Sequence, residues 1–350
     1  MDSLGEDKKE VERRYIKTIL IALAKELHSK KYPEEYLNQK TKIAKIICIL
    51  ASKLDLPITI SWYRHGQYPF IQDLNIDLYN MLLDIYKNLD RNINELNQSM
   101  KSVYKNILDT FKVINPTEIM KKNFYIFLEQ YYNNPDFNKN KYIGLYRRYF
   151  QLGNFLNNEF EPNLKIFLKG FEKADYTKYI TEEYDSTEEE PLFKKYTSQT
   201  NQLRIFFNNF LYELSNPRYN FPEEIKEDVY DSFNTFEKVC LKIDLIFSKA
   251  NYDQKIISEY ELIDRTIIFF WETITSFISI KDNKGPRTKD LIEYYTNKYD
   301  KHIKLLPQKL IELDKKIANS GLRLDKHEFN AIKSNDERIK ELVHEFALRA

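Results

Sequence analysis

The chain has 350 residues, enough to bury a sizeable core, and its formal net charge of +1 excludes a global electrostatic pull onto nucleic acid or membrane. Seven glycines and eleven prolines are too few for an all-β chain of many tight turns, while aromatic side chains at 15% supply a packed interior. Two isolated cysteines, Cys48 and Cys240, lie in apolar helical patterns and exclude a thiolate metal site or a disulfide framework.

Apolar residues recur every three or four positions, which predicts an all-α, multi-helical fold of two lobes. Val11, Tyr15, Ile19, Ala22 and Leu23 mark a first helix, and Ile43, Ile46, Leu50 and Leu54 a second that Pro57 ends. The run "LPITISWYR" has the only strand character, so a short extended segment is expected near residues 58–64. From Ile76 the stripe Ile85, Leu89, Ile93, Leu96, Met100, Val103, Ile107, Phe111 predicts one continuous helix over residues 76–111, roughly 54 Å long. Such a helix serves as the spine of the fold or as an arm through which copies of the chain associate. Next, "TEIMKKNFYIFLEQYY" reads as a helix capped by Thr117, and "KYIGLYRRYFQLGNFLNN" as another. In "TEEYDSTEEEP" six carboxylates occur without a base, which marks residues 181–191 as a solvated linker. The expected division is a helical lobe over 1–114, a helical connection over 115–180 and a helical bundle over 192–350. In that bundle a helix starts near Thr288, Pro307 opens another, and Ser334 or Asn335 caps the last. The acidic, charged N-terminus lacks the pattern of a signal peptide, and the longest apolar run is interrupted by Glu272. A cytoplasmic protein with no membrane partner and no cofactor is expected.

The stretch "TISWYRHGQYPF", residues 59–70, crowds Trp62, Tyr63, Arg64, His65, Gly66 and Tyr68 together and reads as a candidate binding surface. Gly66 allows positive φ at a sharp turn, and Pro69 fixes the exit. The same residues read first as an apolar staple of the N-terminal lobe, with an exposed recognition surface as the alternative. With the preceding helix, Lys42-Ile43-Ala44-Lys45-Ile46-Ile47 and Ala51, this stretch resembles the Panacea domain, an antitoxin-like helical domain of bacterial, phage and archaeal proteins. In that family a Lys-Leu-x-Lys-Leu-Leu-Tyr-Leu-Ala helix precedes an aromatic-Tyr/Arg-x-Gly-Pro motif; here Gln67 stands where the family has Pro. The resemblance implies a non-enzymatic role in binding another protein, a toxin or a client. It carries over no catalytic residue.

Two other chemistries are expected with less support. Arg338 and His344 fit the Arg-x(4–6)-His spacing of the HEPN ribonucleases, the enzyme alternative. Their six-residue step leaves them about 120° apart around a helix, a loose match to one catalytic face. Lys281, Lys284, Arg287 and Lys289 in "KDNKGPRTK" precede a helix start and are candidates for holding a phosphate, which keeps a nucleic-acid-binding regulator as a third reading. Glu341 and His344 give a single Glu-x-x-His, short of the paired motif of a di-iron bundle, so no metal is expected. The remaining histidines, His28, His302 and His327, sit in charged surroundings and are expected at the surface.

Overall fold

A computed structural model describes residues 7–134, 141–163, parts of 202–227, 255–319 and residue 327. The chain divides into two units, Met1–Phe150 with Trp271–Ile303, and Gln151–Phe270 with Lys304–Ala350. The fold is mainly α, and among the described residues the only sheet is one two-stranded hairpin. No helix among them is long and apolar enough to cross a membrane.

The first unit is built on two helices whose central stretches are buried all round. Asp7 accepts the amide of Lys9 at 3.0 Å and starts α1 (Lys8–Ser29), whose residues Thr18 to Ala24 are all buried. In α2 (Lys40–Lys53) every residue from Lys42 to Ala51 is buried. A helix apolar on one stripe only could not be covered in this way. Around this pair pack α3 (Leu78–Lys87), α4 (Leu89–Asn94), α5 (Gln98–Ile114) and α6 (Pro116–Lys121). Next come α7 (Phe124–Asn133) and α8 (Ile143–Phe155), and later α9 (Lys255–Lys281) and α10 (Thr288–Asn319).

The helix expected over residues 76–111 is divided in three. Asn88 separates α3 from α4, where its side chain turns back onto the carbonyl and carboxylate of Asp84, both at 3.1 Å. Three residues later than α4, Asn97 accepts the amide of Met100 at 2.9 Å and starts α5 afresh. Asparagine competes with the helical backbone for its own hydrogen bonds, so the apolar stripe survives while the helix does not. The same effect divides the next segment. Asn115, at φ +43°, ends α5 and caps α6 in place of Thr117, which is buried, and Asn123 caps α7. Pro307 opens no helix of its own, because α10 runs through it, forfeiting one backbone hydrogen bond.

The extended segment is one arm of a hairpin, β1 (Ile60–Tyr63) and β2 (Gly66–Pro69), joined by Arg64 and His65. Its base is clamped by an enclosed ion cluster. Glu12 of α1 accepts the amide of Thr59 at 3.0 Å and also its hydroxyl, and pairs with Arg287 at 2.8 Å. Arg287 further bonds Asp73 and the Phe70 carbonyl, and its own amide donates to the Thr59 hydroxyl at 2.9 Å. Both Glu12 and Arg287 have fully enclosed side chains. Gly285, at φ +116°, lets the loop ahead of α10 lie on the hairpin, because a Cβ there would stand 2.4 Å from the Thr59 Cα.

In the second unit α8 passes into a π-helical turn, Leu156–Phe160, where Asn157 bonds the Gly153 carbonyl at 2.7 Å. Phe155, Leu156 and Phe160 are buried there. A 3-10 turn at Pro217–Tyr219 is held by Arg218, Glu213 and Tyr219.

Removing one partner of an enclosed ion pair strands the other charge, at a cost of about 3–5 kcal/mol. Arg287→Met is expected to lower stability to urea by that amount. Glu12→Gln in the same chain should recover part of the loss, since the stranded carboxylate is gone.

Candidate functional site

The hairpin tip is held by side chains from four helices. Three successive carbonyls are bonded from the inside by aromatic donors on three helices. Tyr146 of α8 donates to the Tyr63 carbonyl at 3.2 Å, Trp271 of α9 to that of Arg64 at 2.8 Å, and Tyr132 of α7 to that of His65. Lys45 of α2 donates to the Gln67 carbonyl at 2.7 Å. Ser279 of α9 closes the outer edge of β1, donating to the Trp62 carbonyl at 2.7 Å and accepting its amide at 3.0 Å. Further along that edge the Ile60 amide donates to the Lys284 carbonyl at 2.8 Å. The edge of β2 lies against α2. Neither edge of the hairpin is left to accept an added strand.

The six residues expected to bind are thereby sorted. Trp62 is buried, its indole N–H on Asp282 at 2.6 Å and its ring 4.9 Å from that of Tyr146. Gly66 is buried at φ +85°, and a Cβ there would stand 2.0 Å from the Tyr132 hydroxyl and 3.1 Å from the Lys45 Nζ. His65 is half-buried with its ring edge-on to Phe124, and burial, then the charges of Arg64 and Lys45, push its pKa down to about 3. These three residues make the support. Tyr63, Arg64 and Tyr68 face outward to different degrees: Tyr63 is 36% exposed, and Arg64 and Tyr68 are half-buried. The rings of Tyr63 and Tyr68 lie 5.7 Å apart on one face of the hairpin. Beside them α10 places Tyr294, 42% exposed and edge-on to Phe70, and Lys298, whose amine lies 5.7 Å from the Tyr63 ring and 3.7 Å from Glu272. Tyr294 and Lys298 carry no local sequence signal; only the tertiary path of α10 brings them here.

Lys45 is the least expected member. It is fully enclosed, 5.0 Å from the Tyr131 ring and 5.6 Å from that of Tyr132. Burial brings its pKa down to about 7. Burial likewise pushes the neighbouring Cys48 thiol up to about 12, which leaves it a small apolar side chain rather than a nucleophile.

The phosphate candidates are dispersed. Arg287 is committed to Glu12 and Asp73, the reason being that its loop is folded inward onto the hairpin rather than outward to solvent. Lys281 lies over the Phe277 ring, Lys284 supplies backbone to Ile60, and Lys289 is exposed on α10. Among the described residues no group of His, Cys, Asp or Glu is placed to hold a metal ion. Of the other histidines, His28 and His327 are exposed and His302 is half-buried beside Thr273. Arg338, His344, Cys240 and the acidic segment 181–191 lie outside the described residues. The chain matches no protein-family model, no curated protein and no solved structure.

Two expectations follow for the support. Gly66→Ala forces a side chain into the left-handed region and into the Tyr132 hydroxyl, a loss of about 1–3 kcal/mol in urea unfolding. The depressed pKa of Lys45 means that between about pH 7 and its ordinary 10.5 the unfolded chain binds a proton that the folded chain lacks. Stability therefore rises with pH across that window. Lys45→Met should flatten the rise, read as the urea midpoint at about pH 7.5 and 9.5.

Proposed function

We propose that this chain is a protein-binding module whose recognition surface is the hairpin tip with its tyrosine face. The observation that carries the reading is the inward bonding of the Tyr63, Arg64 and His65 carbonyls. A backbone held in that way presents its outward side chains without first having to be ordered, which lowers the entropic cost of association. The outward side chains are of the types enriched at interfaces: Tyr63, Tyr68 and Tyr294 offer large rings with a polar tip, and Arg64 a guanidinium. With both hairpin edges occupied, recognition goes through side chains and not through an added strand. The resemblance to the Panacea domain narrows the role to an antitoxin-like or defence-associated one, in which the partner is a toxin or client protein.

The reading is tested by co-expressing the chain with the product of each flanking reading frame. A complex is expected with one of them, and Tyr63→Ala and Tyr294→Ala should each weaken it by about tenfold, the effect of removing an interface aromatic. The melting temperature should be unchanged, since both rings are partly solvated. Absence of a complex with either product overturns the antitoxin-like role. Cleavage of single-stranded RNA by the purified chain, lost on His344→Ala, would replace it with the ribonuclease alternative.

A further inference from the structure

Resting on the protein-binding reading, we infer that the hairpin tip receives a carboxylate, so that the partner meets Arg64 with an acidic segment. Arg64 pairs with no carboxylate among the described residues, and its Nε is enclosed without a hydrogen-bond partner. A guanidinium partly withdrawn from water with no counter-ion is held at a cost that an incoming anion offsets. The surrounding charges leave that anion a place. Lys298 is already bridged to Glu272 at 3.7 Å. Lys45 is enclosed beneath the tip, and both it and Arg64 act on His65 as positive neighbours. Among these groups the charge without a carboxylate partner is thus Arg64's own.

The chemistry favours a protein carboxylate over a nucleic-acid backbone. Phosphates arrive as a row and are bound by several cations. At this tip Lys298 is already bridged to Glu272 and Lys45 is enclosed, so neither stands beside Arg64 as a second ligand for a row of phosphates. One arginine at a hairpin tip whose neighbours in the chain, Tyr63 and His65, carry rings packed on Tyr68 and Phe124 suits a single carboxylate on a chain with apolar neighbours.

A displayed library of random peptides, selected against the full chain and against its Arg64→Glu variant, tests the inference. The wild type is expected to enrich Asp and Glu severalfold over the unselected library, and Arg64→Glu to abolish the enrichment. A synthetic peptide of the selected sequence should bind the wild type about tenfold more tightly than Arg64→Gln, with affinity falling as salt rises. Because the Arg64 side chain bonds nothing in the described structure while its carbonyl does, both variants should retain the near-ultraviolet spectrum of the wild type. Selection without acid bias, selection unchanged by Arg64→Glu, or no selected peptide overturns the inference. So does binding of a single-stranded oligonucleotide that Arg64→Glu abolishes. A flanking-product complex lost on Tyr63→Ala yet indifferent to Arg64→Glu and to salt would overturn the carboxylate alone and leave the protein-binding reading standing.

Discussion

The pairing of Glu12 with Arg287 is the constraint on which the first unit depends. Neither charge is reachable by water, and together with the Thr59 hydroxyl they join α1, the base of the hairpin and the loop ahead of α10. An enclosed ion pair is a weak source of net stability, because desolvation consumes much of the attraction. Its effect is on uniqueness. Any arrangement that fails to bring residue 287 to residue 12 leaves two uncompensated charges in an apolar interior, so competing packings are penalised severely. Phe70 shares in the arrangement: its carbonyl accepts from the guanidinium, and its ring lies 5.0 Å from it.

Buried lysines extend the same logic to α2. On a helix enclosed over ten successive residues, Lys42 and Lys45 have no aqueous route, and both end on main-chain carbonyls. Lys42 reaches the carbonyls of Met120 and Lys122 at the C-terminal end of α6, the negative pole of that helix, and burial lowers its pKa. Lys45 reaches Gln67 in β2. A Lys-x-x-Lys pattern on this helix thus acts as two long donors that tie separate elements to one core helix. The aromatic donors Tyr132, Tyr146 and Trp271 do for the hairpin tip what the lysines do for its flank.

Much of this was legible in the sequence, and the remainder has identifiable causes. Periodicity at three and four positions gave the all-α class, and in α5 Met100, Ile107 and Phe111 of the stripe are buried, whereas in α2 burial runs through Lys42 and Lys45 as well, which no apolar stripe records. Helix breaks at Asn88, Asn97 and Asn123 left no mark on the apolar stripe, because a cap is a local competition for backbone hydrogen bonds that hydrophobic spacing does not register. The strand character of Ile58–Tyr63 was visible, but β2 was not, since Gly66, Gln67 and Pro69 are poor strand formers whose pairing is imposed by the tip. Arg287 looked like one more base in a basic loop, its acids being distant in sequence. In the binding stretch, side-chain type alone could not separate Trp62, which is core, from Tyr63 one position on, which is surface; strand alternation does so once the hairpin is known.

Sequence distance has a consequence for biosynthesis. Trp62 takes its main-chain partner from Ser279, 217 residues further on, so the ribosome works for roughly 10–40 s after making β1 before the residues that close its edge emerge. Throughout that interval a short apolar strand stands with unsatisfied amides on a nascent chain, the condition under which general chaperones engage their clients. The 120 residues between Phe150 and Trp271 that interrupt the first unit account for more than half of that interval.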